Sequence, residues 1–212
     1  MAVSILGAGH VGMALAKALV SKGESVALGV PDPAKYRDAV IGLGPLARIG
    51  TTQEAIAAAD VVILAIPYGA AESVARSVED WDGRILVDAT NPLAPGLAGL
   101  SIGTTRSGAE EIARAARGAR VVKAFNTTGA ENMADSRYPG GVPFMPVCGD
   151  DAEARARVMA LATLIGFDAV DCGGLQAARY LEPYAMMWIH MAIKLGYGRS
   201  FAFGRLQRGG GR

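Results

Sequence analysis

A chain of 212 residues is long enough for one domain with a sizeable core and too short for two full domains. Its 21 basic and 20 acidic residues nearly cancel, which argues against partners such as nucleic acid or an anionic membrane surface. Apolar residues form short runs without a span of about 20, and no signal-peptide pattern precedes them, so we expect a cytoplasmic protein that binds small molecules.

Short apolar runs alternate with stretches of helical spacing along the chain. In chain order, strands are predicted at residues 3–6, 25–30, 48–49, 61–66, 84–87, 121–125 and 168–170. This alternation predicts a doubly wound, Rossmann-type α/β fold, in which helices cover both faces of a mainly parallel sheet.

Pairs of hydroxyl and carboxylate residues mark the expected starts of two helices. Thr51 with Glu54, and Ser107 with Glu110, each match the reciprocal capping box, in which both side chains bind free backbone amides. A third helix is expected after an aspartate cap, Asp150 or Asp151. Its predicted buried stripe is Val158, Leu161, Ala162 and Ile165.

The segment 175–195 is apolar on most sides, which is typical of a helix that is wholly buried or lies in an oligomer interface. Pro183 is expected to start or kink this helix. We expect a dinucleotide-binding domain at 1–173, a helical segment at 174–207 that completes an acceptor pocket and a homodimer interface, and a disordered Gly/Arg tail at 208–212.

Three glycines follow the first predicted strand in the sequence "ILGAGHVGMALAKAL". In such a turn Gly7 permits the tight bend, Gly9 lets the backbone approach a pyrophosphate, and Gly12 allows the helix to pack on the sheet. The start of the helix then offers free amides to the phosphates. The spacing predicts binding of a dinucleotide.

The end of the second predicted strand bears on which dinucleotide is bound. Val30 and Pro31 stand where a carboxylate would bind the ribose of NAD, and Asp32 comes slightly late. Lys35 and Arg37 follow and are suited to the additional phosphate of NADP. The sequence favours NADP, and NAD stays possible.

No familiar set of catalytic residues accompanies the cofactor turn. There is no Tyr-x-x-x-Lys pair, His10 lies in the glycine turn, and His190 lies in the apolar segment. Cys148 and Cys172 are isolated, which favours reduced thiols over a disulfide, and no cluster has metal-ligand spacing. A flavin-like acceptor delocalises incoming charge and takes its proton from solvent, so it needs only correct placement of two rings.

Several motifs together resemble the NADPH-dependent 8-hydroxy-5-deazaflavin (coenzyme F420) reductases and the cytoplasmic domain of the STEAP metalloreductases. The motifs are "ILGAGHVG", "AIPYGA", "ILVDATNPL", "VVKAFNTTGAENMA" and "PVCGDD". The resemblance implies a cofactor site at the turns that follow successive strands. Its members are Gly7, Gly9, His10, Val11, Gly12, Ala65, Ile66, Pro67, Ala89, Thr90, Asn91, Asn126 and Thr127, beside Val30, Pro31, Asp32 and Lys35 at the second strand.

The same resemblance implies an acceptor pocket formed by Thr128, Met187 and His190. The leading hypothesis is therefore hydride transfer between NADP(H) and a deazaflavin or flavin. Two alternatives stay open: reduction of a small imine or carbonyl, as in pyrroline-5-carboxylate reductases, and a non-enzymatic sensor that binds nicotinamide dinucleotides.

Overall fold

The computed structural model describes residues 2–208, and in this range eight strands form one sheet. The strands are β1 (Ala2–Leu6), β2 (Ser25–Gly29), β3 (Ala47–Gly50), β4 (Val61–Leu64), β5 (Ile85–Asp88), β6 (Arg120–Lys123), β7 (Phe144–Gly149) and β8 (Asp168–Asp171). Their order is β3-β2-β1-β4-β5-β6-β7-β8, and every neighbouring pair is parallel except β6 and β7. The predicted Rossmann-type fold is confirmed.

Helices cover both faces of the sheet. They are α1 (His10–Ser21), α2 (Arg37–Ile41), α3 (Thr52–Ala57), α4 (Tyr68–Arg76), α5 (Gly108–Ala115), α6 (Ala130–Ala134), α7 (Ala152–Leu164) and α8 (Ala178–Ile189), which continues as one π-turn, His190–Lys194. Alternate residues of the strands face opposite sides. In β4, for example, Val61 and Ile63 belong to the buried cluster that includes residues of α1 and α7, whereas Val62 and Leu64 belong to the cluster that includes residues of α4 and α5.

One strand, β7, was not predicted from the sequence. Its segment contains Pro146, and a proline inside an apolar run argues against a strand because it cannot donate to the ladder. The structure accommodates Pro146 because β7 pairs with β6 only through Cys148 and Gly149. β7 and β8 therefore extend the sheet beyond β6, and the pairing of β6 with β7 is antiparallel.

The predicted helix starts are found in the structure. Thr51 Oγ1 accepts from the Glu54 amide at 3.3 Å and Glu54 Oε2 accepts from the Thr51 amide at 2.7 Å, which completes the capping box. Ser107 Oγ likewise accepts from the amide of Glu110 at 3.2 Å. Asp151 is the cap of α7, and all four residues of the predicted buried stripe are buried.

The C-terminal part differs from the expected start of its helix. Pro183 lies inside α8 and does not begin it, because the helix already starts at Ala178. The helix buries one side, including Trp188, and exposes Tyr180 and Met187 on the other. The proposed domain division at residue 173 stays a prediction, and only Arg208 of the predicted disordered tail lies within the described residues.

After the π-turn, the chain returns to the start of β7, where the Phe144 amide donates to the Phe203 carbonyl at 2.8 Å. The Trp188 indole donates to the carbonyl of Phe201 at 2.9 Å, and Gly204 bridges to Pro143. None of the helices in residues 2–208 has the length and apolar character needed to cross a bilayer.

Candidate active site

The three glycines of the first turn meet different demands in the structure. Gly7 has φ of +107°, a left-handed conformation that favours glycine, and a Cβ there would lie 2.4 Å from the Ala65 carbonyl oxygen. A Cβ on Gly12 would lie 2.0 Å from the Gly7 oxygen, whereas one on Gly9 would meet no atom within 4 Å. Gly7 and Gly12 are thus needed for packing, and Gly9 leaves open space in front of the helix.

The start of α1 presents backbone amide donors that no side chain among the described residues caps. Gly9 is the N-cap of this 12-residue helix, and within the described chain no side chain caps it. Uncapped amides and the positive end of the helix dipole favour an anion at this position. The open space at Gly9 and these amides together fit the pyrophosphate of a dinucleotide.

A cleft of about 340 Å³ extends from this turn along the carboxyl ends of β1, β4, β5 and β6. The strand order reverses between β1 and β4, the place where open α/β sheets bind ligands. The lining residues are His10, Val11, Ala65, Ile66, Pro67, Ala89, Asn91, Leu93, Asn126, Thr128, Gly129, Ala130, Trp188, Ile189 and Arg199. The turns after the strands and the wall helix α8 therefore share one cleft.

Nine of the twenty residues expected at the cofactor and acceptor lie in this lining. Thr90 and Thr127 do not, since the Thr90 hydroxyl donates to Asp88 and the Thr127 hydroxyl points to Met145. Met187 and His190 are exposed on the outer side of α8 and its π-turn, beside the lining but not in it. Their roles stay predictions.

The end of β2 lies apart from this cleft lining. Val30 is buried, and Pro31, Asp32 and Lys35 are exposed around the following turn. Asp32 Oδ1 accepts from the amide of Ala34 at 3.1 Å, so this carboxylate is engaged within the turn. The ammonium group of Lys35 lies 5.4 Å from the centre of the Tyr36 ring and remains accessible to a phosphate.

Two asparagines at the floor of the cleft are hydrogen-bonded to each other. Asn91 Nδ2 donates to the Asn126 carbonyl at 2.8 Å, and Asn126 Nδ2 donates to Asn91 Oδ1 at 3.0 Å. These partners fix the orientation of both amides, which leaves Asn126 Oδ1 as a buried acceptor without a donor among the described residues. Phe125, just before it, is buried with φ of 61°, a left-handed conformation that is strained for a residue other than glycine.

A buried ionic network lies beneath the cleft. Lys123 Nζ is 2.7 Å from Asp88 Oδ2 and 3.0 Å from Glu182 Oε1, and all three side chains are almost fully buried. Burial acts to lower the pKa of Lys123, but the two carboxylates outweigh it and raise that pKa. Lys123 therefore stays a cation inside the protein.

The sequence profile described as NADP oxidoreductase, coenzyme F420-dependent, matches residues 2–92. An F420-dependent NADP reductase from Methanothermobacter marburgensis is 32% identical over 210 residues, which cover 92% of this chain and 93% of that protein. The chain belongs to the F420-dependent NADP oxidoreductase family.

Two further relatives of this family member extend the comparison. The metalloreductase STEAP3 of Rattus norvegicus is 32% identical over 85% of this chain, which spans only 35% of the length of STEAP3. A crystal structure from Arthrobacter sp. FB24, assigned as an F420-dependent NADP reductase, has a TM-score of 0.83 and 30% identity. It covers 96% of this chain and 99% of its own.

The buried ionic network and the cleft residues Trp188 and Arg199 of this family member were not predicted from the sequence. A signal for the network is present, since Asp88 and Lys123 each directly follow a pair of apolar residues at the end of a strand, in "ILVD" and "RVVK". Charges at such positions indicate either the surface or a buried pair, and only the fold shows which applies. Both cysteines are free thiols, and burial raises the pKa of Cys148 to about 12.

Proposed function

We propose that this protein catalyses hydride transfer between NADP(H) and a deazaflavin of the coenzyme F420 type. The observation that carries the proposal is the arrangement of one cleft, in which an anion-binding glycine turn leads into an open space bounded by the strand-end turns and α8. Family membership supports the choice of the two co-substrates.

The residues of the chain have distinct tasks in this proposal. The turn around Gly9 and the first amides of α1 hold the pyrophosphate, and the Asn91–Asn126 pair forms a fixed floor for the nicotinamide half. The free acceptor Asn126 Oδ1 is a partner suited to an amide N–H donor. Trp188 and Ile189 supply an apolar wall that excludes water from the space between the rings.

The chemistry needs no side-chain acid in the cleft. When bound, the nicotinamide supplies a hydride, and the deazaflavin ring accepts it and takes a proton from solvent. Among the described lining residues, the only ionisable ones are His10, in the cofactor turn, and Arg199, which is 3.4 Å from Glu131. The protein therefore contributes placement of two rings, which is the main requirement of such a transfer.

We further propose that Lys35 binds the 2′-phosphate of NADP and that Thr128, Met187 and His190 border the acceptor. Lys35 is the exposed cation nearest in sequence to the end of β2, and Thr128 lines the cleft. A homodimer is also proposed, because α8 and the following turn expose apolar side chains. These are Tyr180, Met187, Ile193, Leu195 and Tyr197. The location proposed from the sequence is the cytoplasm.

The proposed reaction is tested by mixing the protein anaerobically with NADPH and one acceptor from a panel: F420, FMN, FAD or a cyclic imine. We expect rapid bleaching of the F420 absorbance and slower or no reduction of the others. Reduction of the imine alone, or tight NADPH binding without transfer to any acceptor, would contradict the proposal and favour one of the alternatives.

A further inference from the structure

The buried network of Lys123, Asp88 and Glu182 connects two parts of the cleft, the turn after β5 and the wall formed by α8. The proposed reaction requires a fixed distance between these two parts. Lys123 ends β6, Asp88 ends β5, and Glu182 lies in the middle of α8. None of the three lines the cleft. Their side chains are between 0% and 1% exposed, so they act on neighbouring protein groups and not on a ligand.

On the cofactor side the network holds Thr90. Lys123 Nζ donates to the Thr90 carbonyl at 2.7 Å. Asp88 Oδ1 accepts from the Thr90 amide at 2.9 Å and from the Thr90 hydroxyl at 2.7 Å. Three hydrogen bonds therefore fix the residue immediately before Asn91, which lines the cleft and pairs with Asn126.

On the wall side the network holds α8. Glu182 Oε2 accepts from the Gly108 amide at 2.9 Å and Oε1 accepts from the Ala109 amide at 3.1 Å, so Glu182 caps α5 from a distant helix. The preceding carbonyl, that of Leu181, accepts from Asn126 at 3.4 Å. About two turns further along α8, Trp188 and Ile189 line the cleft.

The charges of the network explain how it fixes the relative placement of the elements that carry it. One cation faces two carboxylates, and the excess negative charge is offset by the amides that begin α5. A buried ion pair is weak evidence for stability, since apolar residues of similar volume often serve as well. What the network adds is a defined set of directions and distances between β5, β6, α5 and α8.

We propose that Lys123, Asp88 and Glu182 are positioning residues that hold the Thr90–Asn91 turn and the α8 wall at a fixed separation. The inference rests on the proposed function, in which two rings must meet in this cleft at hydride distance. A small displacement of either side lowers the rate of transfer, whereas the phosphate anchor at Gly9 lies elsewhere and keeps its affinity.

The test compares Glu182→Gln with a matched control, Glu110→Gln. Glu182→Gln preserves shape and removes the charge that faces Lys123. Glu110 forms the other ionic link between α5 and α8, a bond of 2.7 Å to Arg179, and its side chain is 16% exposed and away from the cleft lining. Both variants weaken the contact between α5 and α8, but only Glu182→Gln changes the network that holds the Thr90–Asn91 turn. A loss of stability alone should therefore affect both variants, whereas a positioning effect should appear only in Glu182→Gln.

The expected result is a split between rate and affinity. In single turnovers with F420, Glu182→Gln should transfer hydride at least about tenfold more slowly, as expected for a small misplacement. Its dissociation constant for NADPH should stay within about threefold of the parent protein, because the phosphate anchor is intact. Glu110→Gln should match the parent protein in both. Equal slowing by the two variants, or parent-like transfer by Glu182→Gln, would overturn the proposal.

A second readout does not depend on turnover. Trp188 borders the cleft, and Trp81 is the other tryptophan of the chain. In a Trp81→Phe background, bound NADPH should therefore quench the Trp188 emission by energy transfer, and the quench at saturation reports the separation between α8 and the nicotinamide. We expect a changed quench for Glu182→Gln and an unchanged one for Glu110→Gln. If the parent protein fails to reduce F420, the proposed function is wrong, while this titration still decides the positioning claim.

A milder variant covers the case in which Glu182→Gln does not fold. Thr90→Val removes the hydroxyl that donates to Asp88 and leaves all three charges in place. We expect slower hydride transfer at unchanged NADPH affinity and a changed quench. A parent-like rate and quench would contradict the positioning claim.

Discussion

The space available for a Cβ atom differs among the three glycines of the turn. Gly7 and Gly12 leave no room for a Cβ, because one would press on the Ala65 carbonyl and the other on the Gly7 carbonyl. Gly9 has ordinary extended backbone, with φ of −77°, and open space in front of it. A methyl group at Gly9 would therefore fit within the protein but would occupy the space where we propose that the phosphates bind.

This difference makes a prediction about two alanine variants. Gly9→Ala should leave the free energy of unfolding within about 0.5 kcal/mol of the parent protein and should raise the dissociation constant for NADPH severalfold or more. Gly12→Ala should lower stability as well, since α1 must move. Urea unfolding and calorimetric titration measure the two effects. Unchanged NADPH affinity in Gly9→Ala would place the pyrophosphate elsewhere.

Lys35 supplies a second test at the level of single residues. If its ammonium group binds the 2′-phosphate, Lys35→Ala should weaken binding of NADPH about tenfold and leave that of NADH nearly unchanged, as for the loss of one charge-assisted hydrogen bond. The matched control is Lys22→Ala, because Lys22 is also exposed but lies at the C-terminal end of α1, away from the glycine turn. Equal losses for NADPH and NADH in a calorimetric titration would refute a contact with the 2′-phosphate.

Secondary-structure elements follow from local patterns, and the site depends on how they meet. The strand–helix alternation and the caps at Thr51, Ser107 and Asp151 could be predicted because their partners lie within three residues. The buried network could not, since Asp88 and Lys123 are 35 residues apart. Gly108 and Glu182 are separated by 74 residues. No local pattern shows that these groups face each other.

The link between α5 and α8 should depend on pH. Hydrogen bonds from Arg179 lower the pKa of Glu110 from its ordinary value of 4.5 to about 2. Because the folded-state pKa is depressed, the stabilising contribution is present above about pH 4.5 and is lost as the pH falls towards about 2.

Urea unfolding of the parent protein and of Glu110→Gln measures this contribution. The parent protein should be the more stable of the two at pH 7, and the difference should shrink steadily as the pH falls below about 4.5. The Arg137→Gln variant, which removes an exposed ion pair to Asp135, corrects for changes at the surface. A difference in stability that is the same at pH 7 and at pH 3 would show that the ion pair is not its source.

At the scale of the whole molecule, the fold brings the glycine turn and α8 together at the carboxyl ends of the parallel strands, where they line one cleft. The parallel part supplies the cofactor turn, and the antiparallel step to β7 carries the chain to α8, which forms the opposite wall. The general fold could be predicted from the sequence. β7 could not be predicted, because Pro146 interrupts its apolar run and argues against a strand. The sequence of α8 is apolar on most sides, so only the packing of the helix shows which side is exposed.

The outward face of α8 leads to a prediction about assembly. Tyr180, Met187 and Tyr197 are 76%, 55% and 67% exposed, and large apolar side chains exposed on a protein surface indicate an interface. Light scattering should therefore give the mass of a dimer, and Tyr180→Lys should shift the equilibrium towards the monomer. Arg76→Glu, at an exposed side chain in the last turn of α4, is the control for a change of surface charge. A monomeric mass for the parent protein at micromolar concentration would contradict the prediction.

The central claim is direct transfer of hydride between two cofactors held in one cleft. It is tested most directly by incubating the protein anaerobically with NADPH deuterated at the transferable position of nicotinamide C4 and with oxidised F420, followed by mass spectrometry of the reduced deazaflavin. We predict one deuterium per molecule of product, in protonated water. Reduced F420 without deuterium from either C4-labelled epimer, or no reduction at all, would contradict the account.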